Sequence, residues 1–530
     1  MSTLPKAESL WRATAELPWF APLDRDLSVD VCVIGGGIAG LSTAYLCAKE
    51  GLSVALLEAR GLGSGETGNT TAHLAVTDDR YSHIEHLYGV EGSRAVQDSF
   101  ARSIDLVESI VRHEGIACDF ERVDGYLYSA DAGEEQELDA EFHAAMLAGA
   151  RVYRQSDIEA LEFEVGPCLR FSGQAQFHPL KYLDGLARAC EKSGVRLYCE
   201  TRAQEVAEKG GDVRITTAAG VVAARSAVIA TNTPFNDRVT LHTKQSGYQS
   251  YVLGFKVPKD VLPHLLLWDN EDPYHYVRLA PADDLHADHE VLIVGGADHK
   301  TGQEDHPESH YQALEDWTRA RFAIAGEVLY RWSGEVMEPV DGVAYLGRNP
   351  GNRNVYVITG DSGNGMTHTT IGAMIVTDLI QGRSNAWAEL YDPKRKPLRS
   401  ALEFMKEQAN VLKHYGDWLR KTDDVSIESL LPGDGAVIQA GLKKLAVYRD
   451  DDGQLHAHSA VCTHLGCAVR WNGTEKTWDC PCHGSRFSAE GEVVHGPAVT
   501  ALAHVPSDDI PEVARPEKAG EADVTRVSRP

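Results

Sequence analysis

The sequence predicts an α/β domain built on a parallel sheet, with a small all-β domain near its C-terminal end, and three stretches carry that prediction. The first is "DVCVIGGGIAGLSTAYLCAKEGLSVALLEAR", in which a strand, a glycine turn, a helix and a second strand follow in order. The second is "NVYVITGDSGNGMTHTTIGAMIVTDLI", a strand that ends in glycines and runs into a helix. The third is the succession of short strands and turns from about Asp424 that contains "CTHLGC" and "CPCHGS". At 530 residues the chain exceeds what one hydrophobic core supports, so two or three domains are expected.

In the first stretch an apolar strand ends at Ile34 and meets Gly35, Gly37 and Gly40; the helix after them carries apolar residues at Leu41, Ala44, Tyr45 and Ala48. The second strand, Val54 to Leu57, ends at Glu58. Strand, glycine turn, helix, strand and acid in this order form the unit that binds an adenine dinucleotide. Gly35 allows the tight turn, Gly37 lets a pyrophosphate approach the backbone at the positive end of the helix, and Gly40 permits helix and strand to pack closely. Glu58 is placed for the ribose hydroxyls. The unit alone does not say which dinucleotide is bound. "LIVGGADHKTG" at Leu292 has glycines at a strand end but no amphipathic helix or acid after it, so a second, NAD(P)H-binding domain is not expected. In the later stretch the strand Val355 to Thr359 ends in Gly360, Gly363 and Gly365, and its helix carries Ile371, Met374, Ile375 and Leu379. A second helix N-terminus therefore points at an anion or an electron-rich group.

With these residues go "GSGETGNTTA" after Glu58, "FHPLKYLDGLA" at Phe177, "SAVIATNTP" at Ser226 and "RWSGEVMEPVDGVAYLG" at Arg331. On them the chain resembles, from about Ser28 to Gly382, the FAD-dependent oxidoreductases of the D-amino acid oxidase superfamily, which includes glycine and sarcosine oxidases. The resemblance implies FAD as cofactor. It also implies a Rossmann-like FAD-binding domain interleaved with a mixed-sheet substrate domain over residues 28–383, behind an N-terminal extension at 1–27. The implied FAD contacts are Gly35, Gly37, Gly40, Glu58, Arg60, Thr67, Thr71, Val206, Gly363, Gly365, Met366 and Thr367. "YHYVRL" resembles the place where relatives hold a substrate carboxylate over the flavin, which makes Tyr276 and Arg278 the candidate catalytic residues. A planar guanidinium suits that task because it binds a carboxylate bidentately. His73, close behind the nucleotide unit, is a further candidate, for covalent flavin attachment as in some relatives.

After Gly382 the segment "ELYDPKRKPLRSALEFMKEQANVLKHYGDWLRK" is charged and helix-prone and opens with two prolines, so 384–423 reads as a helical linker. Short strands with Gly and Asp turns then predict a small β-sandwich over 424–510, followed by a charged tail at 511–530. Four of the ten cysteines fall inside it. Cys462 and His464 form C-x-H, and Cys480 and His483 form C-x2-H. Two thiolates on one iron and two imidazoles on the other is the Rieske arrangement of a [2Fe-2S] cluster. A zinc site is the alternative, but zinc ligand pairs usually group like with like, whereas each loop here gives one of each. From roughly Ala460 to Ala498 the chain resembles Rieske proteins. That resemblance implies a disulfide between Cys467 and Cys482 joining the two cluster loops, and a hydrogen bond from Ser485 to a bridging sulfide. Phe487 stands where respiratory relatives carry a tyrosine, which implies a lower potential, because hydrogen bonds to cluster sulfurs stabilise the more negative reduced state. "HGPAV" at His495 keeps the glycine and proline of the third cluster loop and diverges after them. The other six cysteines are scattered without paired spacing, as small buried residues in a reducing compartment are.

Asp283, His286 and His289 superficially resemble the iron site of Rieske oxygenases, yet their spacing is wrong and their polar surroundings read as a solvated hairpin. A net charge of -27 argues against nucleic acid and anionic membranes and suits docking to a basic partner. The first residues carry prolines and charges where a signal peptide needs an apolar run, and no later stretch is long enough to span a bilayer. A cytoplasmic location without membrane insertion is the expectation. The chain is thus expected to be an FAD-dependent oxidoreductase that oxidises a small organic substrate, an amine or amino acid. Its electrons would pass singly through a Rieske cluster to an acceptor protein or small acceptor. An oxidase giving electrons directly to oxygen, with the cluster as a structural or sensing element, and a non-catalytic redox sensor stay open.

Overall fold

The computed structural model describes residues 7–76, 80–129, 135–159, 161, 163, 165–236, 241–282, 287–396, 401–415, 427–441 and 443–506. The expected tail at 511–530, and Asp283 and His286, lie outside the described residues.

Val, Ile and Ala fill the strands Leu27–Ile34 and Val221–Ile229, which pair in parallel from Leu27 opposite Val222 to Ile34 opposite Ile229. Strands covered on both faces carry such runs because neither face meets water. The parallel ladder reads Arg196–Tyr198, Val54–Leu57, Leu27–Ile34, Val221–Ile229 and Val355–Thr359, with Tyr345–Arg348 as an antiparallel edge. Helices Ile38–Lys49 and Gly365–Ile380 follow two of these strands and pack against each other. Their N-termini therefore lie together at the carboxyl edge of the sheet, where α/β folds bind ligands.

Opposite that edge stands the mixed sheet. Its order is Val328–Pro339, Gln245–Pro258, His289–Lys300, His275–Pro281, Leu266–Asp269, Glu121–Tyr128, Cys168–Gln176 and His73–Leu74, with Val152–Gln155 beside Cys168–Gln176. Neighbours are antiparallel except Leu266–Asp269, which runs parallel to Glu121–Tyr128. This sheet is one wall of the site described below.

The C-terminal part is two antiparallel sheets: Gly435–Ala440, Lys443–Arg449 and Leu455–Ser459 in one, Arg470–Asn472, Thr477–Asp479, Arg486–Ser488 and Val493–His495 in the other. Trp478 and Phe487 are fully buried between the loops, and Trp471 packs on Trp478 with ring centres 4.7 Å apart. Phe487 needs no hydroxyl partner in that core.

Polar contacts from the turn after His289–Lys300, the helix Glu308–Arg321 and the start of the strand Ala203–Lys209 seat this part on the rest of the chain. Gln303 Nε2 donates to the Pro481 carbonyl at 3.0 Å, Tyr311 Oη to Glu475 at 3.3 Å, and Arg202 Nη2 to the Val493 carbonyl at 3.5 Å. Between the two parts, Arg395 holds both Asp341 carboxylate oxygens at 2.8 Å, fixing the start of the connector. The helix Ala401–Tyr415 is pinned through Glu407, which lies 2.5 and 2.7 Å from Lys300 Nζ and accepts from Ser246 Oγ at 2.8 Å. Among the described residues no helix is long and apolar enough to cross a membrane.

Candidate functional site

One continuous cavity runs from the glycine turn to the mixed sheet. At the turn, Gly35 has φ 113°, and a methyl group on it would lie 2.3 Å from the Ala230 carbonyl oxygen. Gly40 faces away from the cavity, where a methyl would fall 1.9 Å from Gly35 O; it sets how closely helix and strand approach. Glu58 accepts from Gly36 N at 2.7 Å and from Arg60 N at 2.8 Å, so its carboxylate stands at the mouth of the turn. Thr67 Oγ1 accepts from Ile38 N at 3.1 Å. Neither helix N-terminus carries its own side-chain cap. The first-turn amides left over are donors for an anion or an electron-rich ring.

Gly35, Gly37, Glu58, Arg60, Thr67, Thr71, Gly363, Gly365 and Met366 line this cavity. Thr367 does not; its hydroxyl donates to Asn364 O at 3.0 Å and is buried. Val206 is corrected as well. It sits on the hairpin strand Ala203–Lys209 and packs into the core, while Arg202 and Ala203, at the start of that strand, meet the cavity. The resemblance placed the contact a few positions late along this strand.

Tyr276 lines the cavity in a row of rings, 5.7 Å from Tyr274 and 5.5 Å from His73, which is 5.9 Å from Trp268. Its hydroxyl is 2.8 Å from Ser250 Oγ. Arg278 overturns the expectation of a substrate clamp. It is 2% exposed, absent from the cavity wall, and Nη1 donates to the carbonyls of Thr71, Ala72 and Phe177 at 3.1, 2.8 and 3.2 Å. Residues 71, 72 and 177 cover it, and its guanidinium is used on backbone. His73 is within the cavity wall, and burial holds its imidazole down to about 3.

Residues that the sequence did not single out complete the wall. Asp361, between Gly360 and Gly363, accepts from Met337 N at 3.1 Å, and burial pushes its carboxyl up to about 7. Arg80 pairs with Glu338 at 2.9 Å and touches Ser362. The acid in the glycine segment was visible in the sequence; the arginine carried no local signal. The N-terminal extension also reaches the site. Ser9 caps the helix Leu10–Thr14 and donates to Gly68 O at 2.5 Å, and Trp11 Nε1 donates to Thr70 O at 2.5 Å. Arg12 donates to Ser64 O at 2.9 Å and Gly65 O at 3.1 Å. The cofactor loop is thus held from behind.

In the C-terminal part the cluster loops bring the four expected ligands to one end. The Cys462 and Cys480 thiols are buried and in mutual contact, and the His464 and His483 rings stand 5.0 Å apart at 87°. Ser485 stands beside Cys462 and accepts from Ala498 N at 3.1 Å. Cys467 and Cys482 form the disulfide between the loops. They are therefore no ligands, and the donor set is two thiols and two imidazoles, which fits a Rieske cluster. His242, from the flavin-binding part, stands edge-on to both cluster imidazoles, 4.9 Å from His464 and 6.3 Å from His483. The third cluster loop contributes Val493, His495, Gly496, Ala498 and Val499 to the cavity wall itself. One cavity is closed by both parts.

The family described as DAO, FAD dependent oxidoreductase, matches residues 30–379. The chain belongs to this family. The Rieske [2Fe-2S] domain matches residues 421–506, so this FAD-dependent oxidoreductase also carries a Rieske domain, and FAD and a [2Fe-2S] cluster are its cofactors. It is similar to YhfW of Bacillus subtilis (strain 168), named as a Rieske 2Fe-2S iron-sulfur protein, with 32% identity over 507 residues, 94% of this chain and 98% of that protein. The gamma-glutamylputrescine oxidoreductase of Escherichia coli (strain K12) is 26% identical over 384 residues, 70% of this chain and 88% of the relative. The glycine oxidase of Geobacillus kaustophilus shares the fold at a TM-score of 0.58 and 18% identity, over 70% of this chain and 99% of that structure.

Proposed function

We propose that this oxidoreductase oxidises a cationic amine at the C–H bond next to nitrogen and delivers the electrons singly, through its cluster, to a separate one-electron acceptor. The observation that carries this reading is the cavity whose wall is shared by the flavin-binding part and the third cluster loop. When bound, FAD supplies acceptance of an electron pair from carbon, and the cluster supplies one-electron relay.

The residues favour an amine over an amino acid. Arg278 is used on backbone carbonyls behind the wall, and Arg80, on the wall, is paired with Glu338, so both of these guanidinium groups are already engaged. The wall offers instead the faces of Tyr274, Tyr276 and Trp268, which attract a cation electrostatically. Asp361, its carboxyl near neutrality, is suited to hold the proton that an ammonium must lose before its neighbouring C–H bond can be broken. Tyr276 and Ser250 hold each other's hydroxyls and fix the ring beside the substrate. Gamma-glutamylputrescine, named for one relative, carries an amine.

The test is anaerobic mixing of the holoprotein with a panel of mono- and polyamines and of α-amino acids, following flavin absorbance and the electron paramagnetic resonance signal of the reduced cluster. Flavin bleaching by amines, followed by cluster reduction, is expected. Bleaching by α-amino acids alone contradicts the substrate class; a cluster that stays oxidised beside a reduced flavin contradicts the relay.

A further inference from the structure

Glu335 lies in the strand Val328–Pro339, lines the cavity and is 2% exposed. Its backbone N–H donates to Glu66 Oε2 at 2.8 Å, while its side chain leaves the flavin-binding part and enters the cluster domain. There Oε2 lies 2.5 Å from His495 Nδ1, and Oε1 accepts from Thr301 Oγ1 at 3.1 Å. On the far side of the same imidazole, Nε2 is 3.1 Å from Asn232 Nδ2. Two segments of the flavin-binding part, at Asn232 and Glu335, thus meet one histidine of the third cluster loop, and Thr301 holds the carboxylate from a third.

The space around the carboxylate is made by two glycines. A methyl group on Gly247 would come within 2.5 Å of Oε1, and one on Gly484 within 2.4 Å. Gly484 stands between the cluster ligand His483 and Ser485, and the methyl on Gly247 would also meet Gly484 Cα at 3.4 Å. A single carboxylate therefore reaches both the ligand loop at 480–485 and the loop at 493–499. Burying a charge in such a place is unfavourable unless it is paired, and an apolar side chain would fill the space at less cost. Stability alone does not explain this residue.

We propose that Glu335 and His495 are the positioning pair that seats the cluster loops against the flavin cavity, so that electrons cross between the two cofactor sites inside one molecule. This rests on the electron relay proposed above. The two electrons released by one C–H oxidation cross one at a time. Each converts one ferric iron to ferrous, and the separate one-electron acceptor restores it before the second crossing; the two protons released as the ammonium becomes an iminium leave through groups of the cavity to water. Neither residue touches the reacting atoms. They act through the loops that they hold.

The experiment needs no substrate. In the anaerobic holoprotein, the flavin is reduced by light with EDTA as donor, and the subsequent bleaching of the cluster is timed in wild type, Glu335→Ala, Glu335→Gln and Gly247→Ala. Iron content and the resonance spectrum of the dithionite-reduced cluster verify assembly, and hydrogen exchange reports on residues 493–499. Glu335→Ala and Gly247→Ala, which empty or crowd the slot, are expected to slow cluster bleaching by about ten-fold and to raise exchange in that loop, because small misplacements of paired groups have large rate effects. Glu335→Gln keeps the shape of the side chain and its hydrogen-bonding capacity toward Thr301 and is expected to stay within about two-fold of wild type. A rate within two-fold of wild type in both Glu335→Ala and Gly247→Ala, with exchange unchanged, overturns the pairing role while leaving the relay standing. A wild-type flavin that reduces without any cluster bleaching overturns the relay itself, and the pair's role with it.

Discussion

Burial holds the His368 imidazole down to about 4 and that of His178 down to about 3, each well below the ordinary value. In the unfolded chain both take up a proton once the pH falls through about 6.5, whereas in the folded protein they stay neutral until about 4 and 3. Their contribution to stability is therefore complete above that range and is lost as the pH drops, at about 1.4 kcal/mol per pH unit and residue. The thermal midpoint of flavin release is expected to fall between pH 6.5 and 4, and to fall less steeply in His368→Gln; an equal slope in that variant would contradict the assignment. His178 accepts from Lys181 N at 3.2 Å as the cap of its helix and lies 2.8 Å from Thr14 Oγ1, so its neutral form has work that the sequence did not announce. The same limit explains Arg278. "YHYVRL" was read through the resemblance, which offered Tyr276 and Arg278 together, but the carbonyls that occupy the arginine come from residues 71, 72 and 177, far away in sequence.

Elements whose chemistry sits in one contiguous stretch were readable. The strand Leu27–Ile34 with its glycine turn, the glycine segment before Gly365–Ile380 and the two cluster loops each contain their whole signal within about thirty residues, the span of one strand–helix–strand unit. The helix Leu10–Thr14 was not readable, since its meaning lies in the loop 64–70 that it supports. The disulfide between the cluster loops closes a separation of 15 residues, and such a closure contributes about 3 kcal/mol, in the chain-entropy account, by restricting the unfolded chain. Replacing Cys467 and Cys482 together by serine is expected to lower the temperature at which cluster absorbance disappears while FAD stays bound. Heating curves of both chromophores check this, and simultaneous loss of the two would argue that the loops and the flavin site share one unfolding unit.

At the scale of the molecule, the shared wall was the feature least legible in the sequence, because a cavity closed by residues 35–37, 274–276 and 493–499 has no local pattern. A chain ended after Lys396 should keep the α/β part but lose the third cluster loop from that wall. Each ~55 Å² of ring surface that the loop covers is worth about 1.4 kcal/mol, or roughly ten-fold in FAD retention. Faster FAD release and stronger quenching of flavin fluorescence by iodide are expected, and retention equal to the full chain would show that the loop covers none of the ring. The connector between Ile380 and Gly435 has a consequence of its own. Because it keeps both parts on one chain, the cluster domain meets its seat at an effective concentration on the order of 1 mM, whatever the concentration of the protein. An intrinsic dissociation constant of about 10 μM, too weak to hold two separate proteins together in dilute solution, would then leave the seat filled about 99% of the time. At that constant a polar contact surface would be sufficient, and a cluster domain that lifted away would return without losing its partner.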